Sequence, residues 1–200
     1  MKERADIDVS GLPAYAFGHR GLMFWGTMGI IVIEGTMFAV LIASYFYLRL
    51  YVREWPPGLT PPDLIFGTIN TVILLASVVP NYIYKKAAEK EDLGKVRAWM
   101  VVSMAFAVAF TVIRVFEFGT LNCKWDTNAY GSIVWMLLGA HTAHLITDLL
   151  DTAVLTVMMF TGPIEGKRFV DVSDNAFYWF FVVGAWVPVY AVIYLAPFLI

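Results

Sequence analysis

Charge is scarce in this sequence: 15% of its 200 residues are Asp, Glu, Lys or Arg, and the stretch from Phe177 to Ile200 contains none. A water-soluble helical bundle needs a polar face on every helix, so that stretch excludes one. Histidine is scarcer still, with three residues, and cysteine is reduced to Cys123. A single thiol cannot close an internal disulfide and carries no information about redox compartment. The formal net charge of −2 offers no basic surface, and no nucleic-acid partner is expected. Residues 1–20 mix charges and lack a short apolar core followed by small residues, so no cleavable signal peptide is expected. Internal repeats and low-complexity segments are missing too.

What the chain has instead is hydrophobic length. Sixty per cent of its residues are hydrophobic, and they gather into five runs at 24–50, 62–84, 97–118, 129–161 and 175–200. Each meets or exceeds the ~20 residues that a ~30 Å hydrocarbon core demands of a helix. The expected fold is an all-α integral membrane protein, a five-transmembrane-helix bundle. It comprises an N-terminal segment over 1–22 and a single membrane domain over 23–200.

Basic residues give the expected orientation. Lys2, Arg4, Arg20, the loop bearing Lys85, Lys86, Lys90, Lys95 and Arg97, and Lys167 with Arg168 fall on one side. Only Arg49, Arg53, Lys124 and the helix-end Arg114 fall on the other. This asymmetry places the N-terminus in the cytoplasm and the C-terminus outside. Trp25, Trp55, Trp99, Tyr130 and Tyr178 stand near segment ends, where interfacial aromatic anchors are expected. The proline-rich loop Glu54–Asp63 ends the first helix. Gly162-Pro163 stops the fourth, and Thr161–Asp174 is read as the last inner loop. The fourth run exceeds what the hydrocarbon needs, so its helix tilts or projects. Gly26, Gly29 and Gly35 read as a close-packing surface of the first helix.

The few polar groups within these runs are the candidate functional residues. His141, His144, Asp148 and Asp151 lie within about 80° of one another on a helical wheel, a stripe that should face protein or water rather than lipid. Glu34 is nine residues past Trp25, or ~14 Å from the inner interface at 1.5 Å per residue. His141 comes out at the same level from the other side, so a Glu34–His141 or Glu34–His144 hydrogen bond is geometrically open. The pair is either a polar clasp between helices or proton-related. Asp148 and Asp151 lie closer to the cytoplasmic surface; the simpler expectation is that they face water, the alternative that they form the mouth of a hydrated path. Arg114 and Glu117 are i, i+3 neighbours near an outer helix end, an ion pair available as a structural link or as a contact for lipid or a partner.

No catalytic constellation and no cofactor or metal ligand set emerges. Three histidines are too few for a haem-copper centre, and the Glu-x-x-His motif of di-iron bundles does not occur.

Read in order, a further set of motifs resembles one family. Trp25-x-x-Met28, Ile33-Glu34-Gly35-Thr36-Met37-Phe38 and Ser44-Tyr45-Phe46 form the first helix of the set, and Trp55-Pro56-Pro57 with Gly58 and Pro61 its outer loop. Asn70-Thr71 opens the next helix. Glu117-Phe118, Gly139-x-His141-x-x-His144, and Tyr178-Trp179 with Trp186 complete it. Across residues 25–190 the chain resembles subunit III of the haem-copper terminal oxidases, the cytochrome c oxidase subunit III family, in its five-helix form.

The resemblance implies a non-catalytic subunit of a proton-translocating complex of the aerobic respiratory chain. It implies a multi-pass protein of the bacterial inner (cytoplasmic) membrane, with oxidase subunit I and subunit II as partners. Haem and copper would sit in those partners and none in this chain. Bound phospholipid is implied, as is a supporting role in assembly and proton uptake. Phe180 and Val183 depart from the family, where a histidine and an acidic residue are usual. So do Arg114, where glutamine is commoner, Asp148, where glycine is commoner, and Thr142, between the histidines. The alternatives are a subunit III-like companion of a nitric oxide reductase or quinol oxidase and, in a different class, a small proton-coupled transporter.

Overall fold

A computed structural model describes residues 15–199 and is helical throughout, with no strand among the described residues. Five helices are long and apolar enough to cross a membrane. They are α1 (Leu22–Arg49), α2 (Leu64–Ala88), α3 (Leu93–Gly119), α4 (Ala129–Thr161) and α5 (Gly166–Tyr190). The last runs on through a π turn at Ala191–Leu195 and a final turn at Ala196–Leu199. The expected five-helix membrane fold is therefore the observed one. The N-terminal segment expected over 1–22 falls largely on residues 1–14, outside the described residues, as do Lys2 and Arg4.

Local chemistry sets the helix ends. Asp63, Asp92 and Asn128 cap α2, α3 and α4 by accepting hydrogen bonds from the backbone N–H of Ile65, Lys95 and Gly131. Each bond satisfies a donor that the first turn leaves without a partner. Gly162-Pro163 stops α4 where the sequence placed the stop. Within α5, Pro188 has no N–H to offer the helical ladder and crowds the carbonyl four residues back. The π turn follows three residues later.

One boundary differs from expectation. The segment read as a loop up to Asp174 is helical from Gly166 onward. Its Lys167, Arg168 and Asp171 hide it from a hydropathy window, but Phe169, Val170 and Val172 are buried and Val172 is fully enclosed. A helix with one apolar face packs well there although its average composition is polar.

Helices α2 to α5 form a four-helix core, with α2 packed on α3 and α5, and α4 on α3 and α5. Two tryptophans of α5 rivet it to α2: Trp179 Nε1 donates to Ser77 Oγ at 2.9 Å and Trp186 Nε1 to Thr71 Oγ1 at 2.8 Å. Gly67 is required beside them, since a Cβ there would stand 2.6 Å from the Tyr194 ring.

Helix α1 lies outside this core, against α4 and α5. Only 6% of its most apolar stretch is buried, against 50% for α5. Gly26 and Gly29, expected to permit close packing, face open space, while Gly35 meets Phe181. Two of the expected interfacial anchors are also elsewhere. Trp55 and Tyr130 are buried, and both stack edge-on with Tyr45 or each other at ring distances near 5 Å. The proline loop folds back over the bundle and takes its tryptophan inside.

Candidate functional site

The polar stripe of α4 divides into two centres. Positions 141 and 144 differ by ~60° around a helix, enough to send one imidazole into the core and the other toward α1. The loop end of the bundle, carrying Trp55 and Cys123, is here called the proline end. The opposite end, with the α2–α3 and α4–α5 connections, is the basic end.

His144 faces α1. Its Nδ1 lies 2.6 Å from the Ala140 carbonyl, which can only accept, so Nδ1 carries a proton. Its Nε2 is 3.3 Å from Glu34 Oε1. With Nδ1 protonated, a neutral imidazole offers Nε2 only as an acceptor. The contact therefore requires one further proton, held on Glu34 or on His144. Tyr178 of α5 donates to the other carboxylate oxygen, Glu34 Oε2, at 2.7 Å. Glu34, His144 and Tyr178 thus tie α1 to both helices it touches. Glu34 is therefore joined to His144 and not to His141.

His141 belongs to a second, fully enclosed centre. Its Nδ1 lies 3.4 Å from Arg114 Nη2 and its Nε2 lies 3.0 Å from the Val182 carbonyl. A guanidinium only donates and a carbonyl only accepts, so His141 is the neutral tautomer with its proton on Nε2. Arg114 Nη1 lies 3.0 Å from Glu117 Oε2, with 1% of either side chain exposed. Asn70 Nδ2 and Tyr194 Oη each donate to Glu117 at 2.6 Å. The guanidinium also lies over the rings of Trp186 at 4.1 Å and Phe110 at 4.7 Å.

Of the two roles open to the Arg114–Glu117 pair, this geometry favours the structural link over a lipid or partner contact. Arg114 and Glu117 face the interior of the bundle, so neither a lipid headgroup nor a partner surface reaches them.

Asp148 also differs from expectation. It is 3% exposed rather than open to water, and its Oδ1 accepts a long hydrogen bond from Asn175 at 3.4 Å. Asn175 reaches Asp151 as well, and its carbonyl oxygen takes the hydroxyls of Tyr84 and Thr152, both at 3.1 Å. Asp148, Asp151 and Glu34 line one cleft of about 640 Å³ between α1, α4 and α5.

Tyr178, Asn175 and Tyr194 take part in these contacts and Asp174 lines the cleft, although their positions in the sequence gave none of them a site role. For α5 a signal existed: Asn175, Tyr178, Val182 and Trp186 recur at helical spacing. Val183, at a place where an acidic residue is usual in the resembled family, packs in the apolar core. Among the described residues no cluster of three or more His, Cys, Asp or Glu side chains is arranged to hold a metal ion.

Comparison with known proteins agrees with these motifs. The family model described as Cytochrome c oxidase subunit III matches residues 11–197. The "Cytochrome c oxidase subunit 3" of Thermostichus vulcanus is 28% identical over 182 residues, covering 90% of each chain. The "Probable cytochrome c oxidase subunit 3" of Nocardia farcinica is 30% identical over 84% of this chain and 85% of its own. The "Heme-copper oxidase subunit I+III" of Aeropyrum pernix is 25% identical over 82% of this chain and 22% of its own.

Proposed function

The chain belongs to the cytochrome c oxidase subunit III family, and from this premise we propose that it serves as the non-catalytic third subunit of a haem-copper terminal oxidase. The observation that carries this reading is the family match over residues 11–197, nearly the whole chain. The fused subunit I+III relative supports a place beside subunit I. Haem and copper then belong to subunits I and II, and the chain's exposed apolar faces are available to those subunits and to phospholipid. The excess of lysine and arginine at the basic end supports an N-terminus on the cytoplasmic side of a bacterial inner membrane.

Within that complex, the Glu34–His144–Tyr178 clasp has two tasks. It fixes α1, which has little buried surface of its own, and it holds a shareable proton at mid-depth in the membrane. An intramembrane carboxylate costs free energy unless it is paired or protonated, so a clasp of this kind is consistent with support of sustained proton uptake. The Arg114–Glu117–His141 centre is structural. The companion of a nitric oxide reductase or quinol oxidase, and the solitary transporter, are not favoured by relatives named for cytochrome c oxidase.

Purification of the tagged chain in a mild detergent, followed by an optical spectrum and mass spectrometry, tests the assignment. Haem bands with two larger oxidase subunits are expected. A colourless, solitary protein would overturn it.

A further inference from the structure

We propose that the segment before α1 is a strap, locked in place by Tyr15, that holds the basic-end half of α1 off the bundle and so sets the opening of the cleft between α1, α4 and α5. The proposal rests on the membrane-spanning fold and on side-chain placement, and not on the oxidase assignment.

One face of α1 has two different surroundings. Met23, Thr27, Ile30, Glu34, Phe38 and Tyr45 recur on that face at helical spacing. Beyond Glu34, Phe38 and Tyr45 are buried in the core. Before it, Met23, Thr27 and Ile30 line the cleft, and no residue from Leu22 to Met37 is buried. The helix therefore packs on the proline side of the clasp and stands off on the basic side. On that side Phe24 stacks on Phe177 of α5 at a ring distance of 5.1 Å, while Gly26 and Gly29 face open space. Packing within α1 does little to fix this half.

The strap supplies the attachment. At one end it is fixed to α1: Gly18, at φ +63°, opens a single 3-10 turn over Gly18–Arg20, and Trp25 Nε1 donates to the His19 carbonyl at 2.9 Å. At the other end Phe17 packs on the basic-end core that contains Val96, Met100 and Phe169. Tyr15 Oη donates to Glu91 Oε1, in the α2–α3 turn, at 2.7 Å. Two positions of the chain are fitted to this tyrosine. Glu91 has φ +55°, a conformation that favours glycine, yet it carries the side chain that accepts the phenol. Gly166, the first residue of α5, lies so close to the Tyr15 ring that a Cβ there would collide with it. Tyr15 thus bridges the α2–α3 turn and the start of α5, and the strap joins α1 to both at a fixed span. Segments that precede or end a helix are where rigid-body movement is taken up. With Tyr15 undocked, the basic-end half of α1 pivots about the Glu34–His144–Tyr178 clasp.

Spin-label distances, measured by double electron–electron resonance on the purified protein with the subunits that accompany it, test this. One pair, Gly26→Cys with Val157→Cys, reads the gap between α1 and α4 at the basic end. A second, Val40→Cys with Met136→Cys, reads the packed half. Gly26 faces open space and the other three are exposed, while Cys123 is buried and stays unlabelled. The expected result is one narrow distance for the first pair, which broadens or shifts when Tyr15→Ala or Gly166→Ala is added, with the second pair unchanged. A first pair that does not respond to either substitution would overturn the proposal. So would equal broadening of both pairs, which marks general loosening. Glu91→Gly isolates the phenol and gives the readout if Gly166→Ala does not assemble. Were Glu91 a turn residue only, glycine would relieve its backbone and leave the distances as they were. The lock requires the first pair to broaden in Glu91→Gly, as in Tyr15→Phe, and unchanged distances in these two variants would overturn it.

Discussion

Arg114 holds a full positive charge with 1% of its side chain exposed, and its Nε has no hydrogen-bond partner. Two aromatic faces and one carboxylate stand in for water. Removing one member of such a pair leaves an uncompensated buried charge, whereas neutralising both does not. Arg114→Ala is therefore expected to destabilise the chain by about 3–5 kcal/mol, and Arg114→Gln with Glu117→Gln by much less. Thermal unfolding of the detergent-solubilised complex, run as a double-mutant cycle, checks this. Cys123 makes a second case. Burial in the α3–α4 loop pushes its thiol up to about 11. Because the thiolate is the reactive species, alkylation at pH 8 should be about 10²-fold slower than for an ordinary thiol and should rise with pH toward 11. Mass-spectrometric counting of iodoacetamide adducts against pH measures it. The sequence made both residues visible without their surroundings. The i, i+3 spacing of Arg114 and Glu117 announced an ion pair, but only tertiary packing could bring Asn70, His141 and Tyr194 to it.

At the scale of elements, the helices were legible because hydrophobic length and stop signals are local. The range of α4 was legible in its apolar run over 129–161 and in the Gly162-Pro163 stop, and the structure adds Asn128 as the cap of its start. The first turns of α5 were not, because a charged segment with one buried face averages to polar. Trp55 and Tyr130 were placed at the interface by their position along the chain, and the loop's path inward depends on contacts with Tyr45 that no window sees. The cap of α4 is testable on its own. Asn128 accepts the Gly131 N–H at 2.8 Å, so Asn128→Ala should cost about 1 kcal/mol. Faster hydrogen exchange confined to the first turn of α4 would register that loss; unchanged exchange would show that another group caps the helix.

Across the whole molecule, four helices form a core and α1 lies against it, joined by the apolar contacts of Phe38 and Tyr45 and by the polar clasp at Glu34. The sequence placed Glu34 and the histidines at one depth, and half of that reading concerned the right partner. Which histidine turns toward α1 is decided by ~60° of helical rotation, a margin that depth alone does not resolve. The acidic cleft was harder to foresee, since Asp148, Asp174 and Asn175 come from two helices whose facing surfaces are set by packing.

A non-catalytic subunit that uses this clasp should sustain the turnover of its complex. Oxygen consumption followed over many turnovers, in purified complex carrying Glu34→Ala, tests it most directly. The predicted result is a complex with unchanged subunits and haem content whose rate decays faster than that of the unsubstituted complex. A complex that fails to assemble, or one whose rate holds as long as the unsubstituted one, would contradict it.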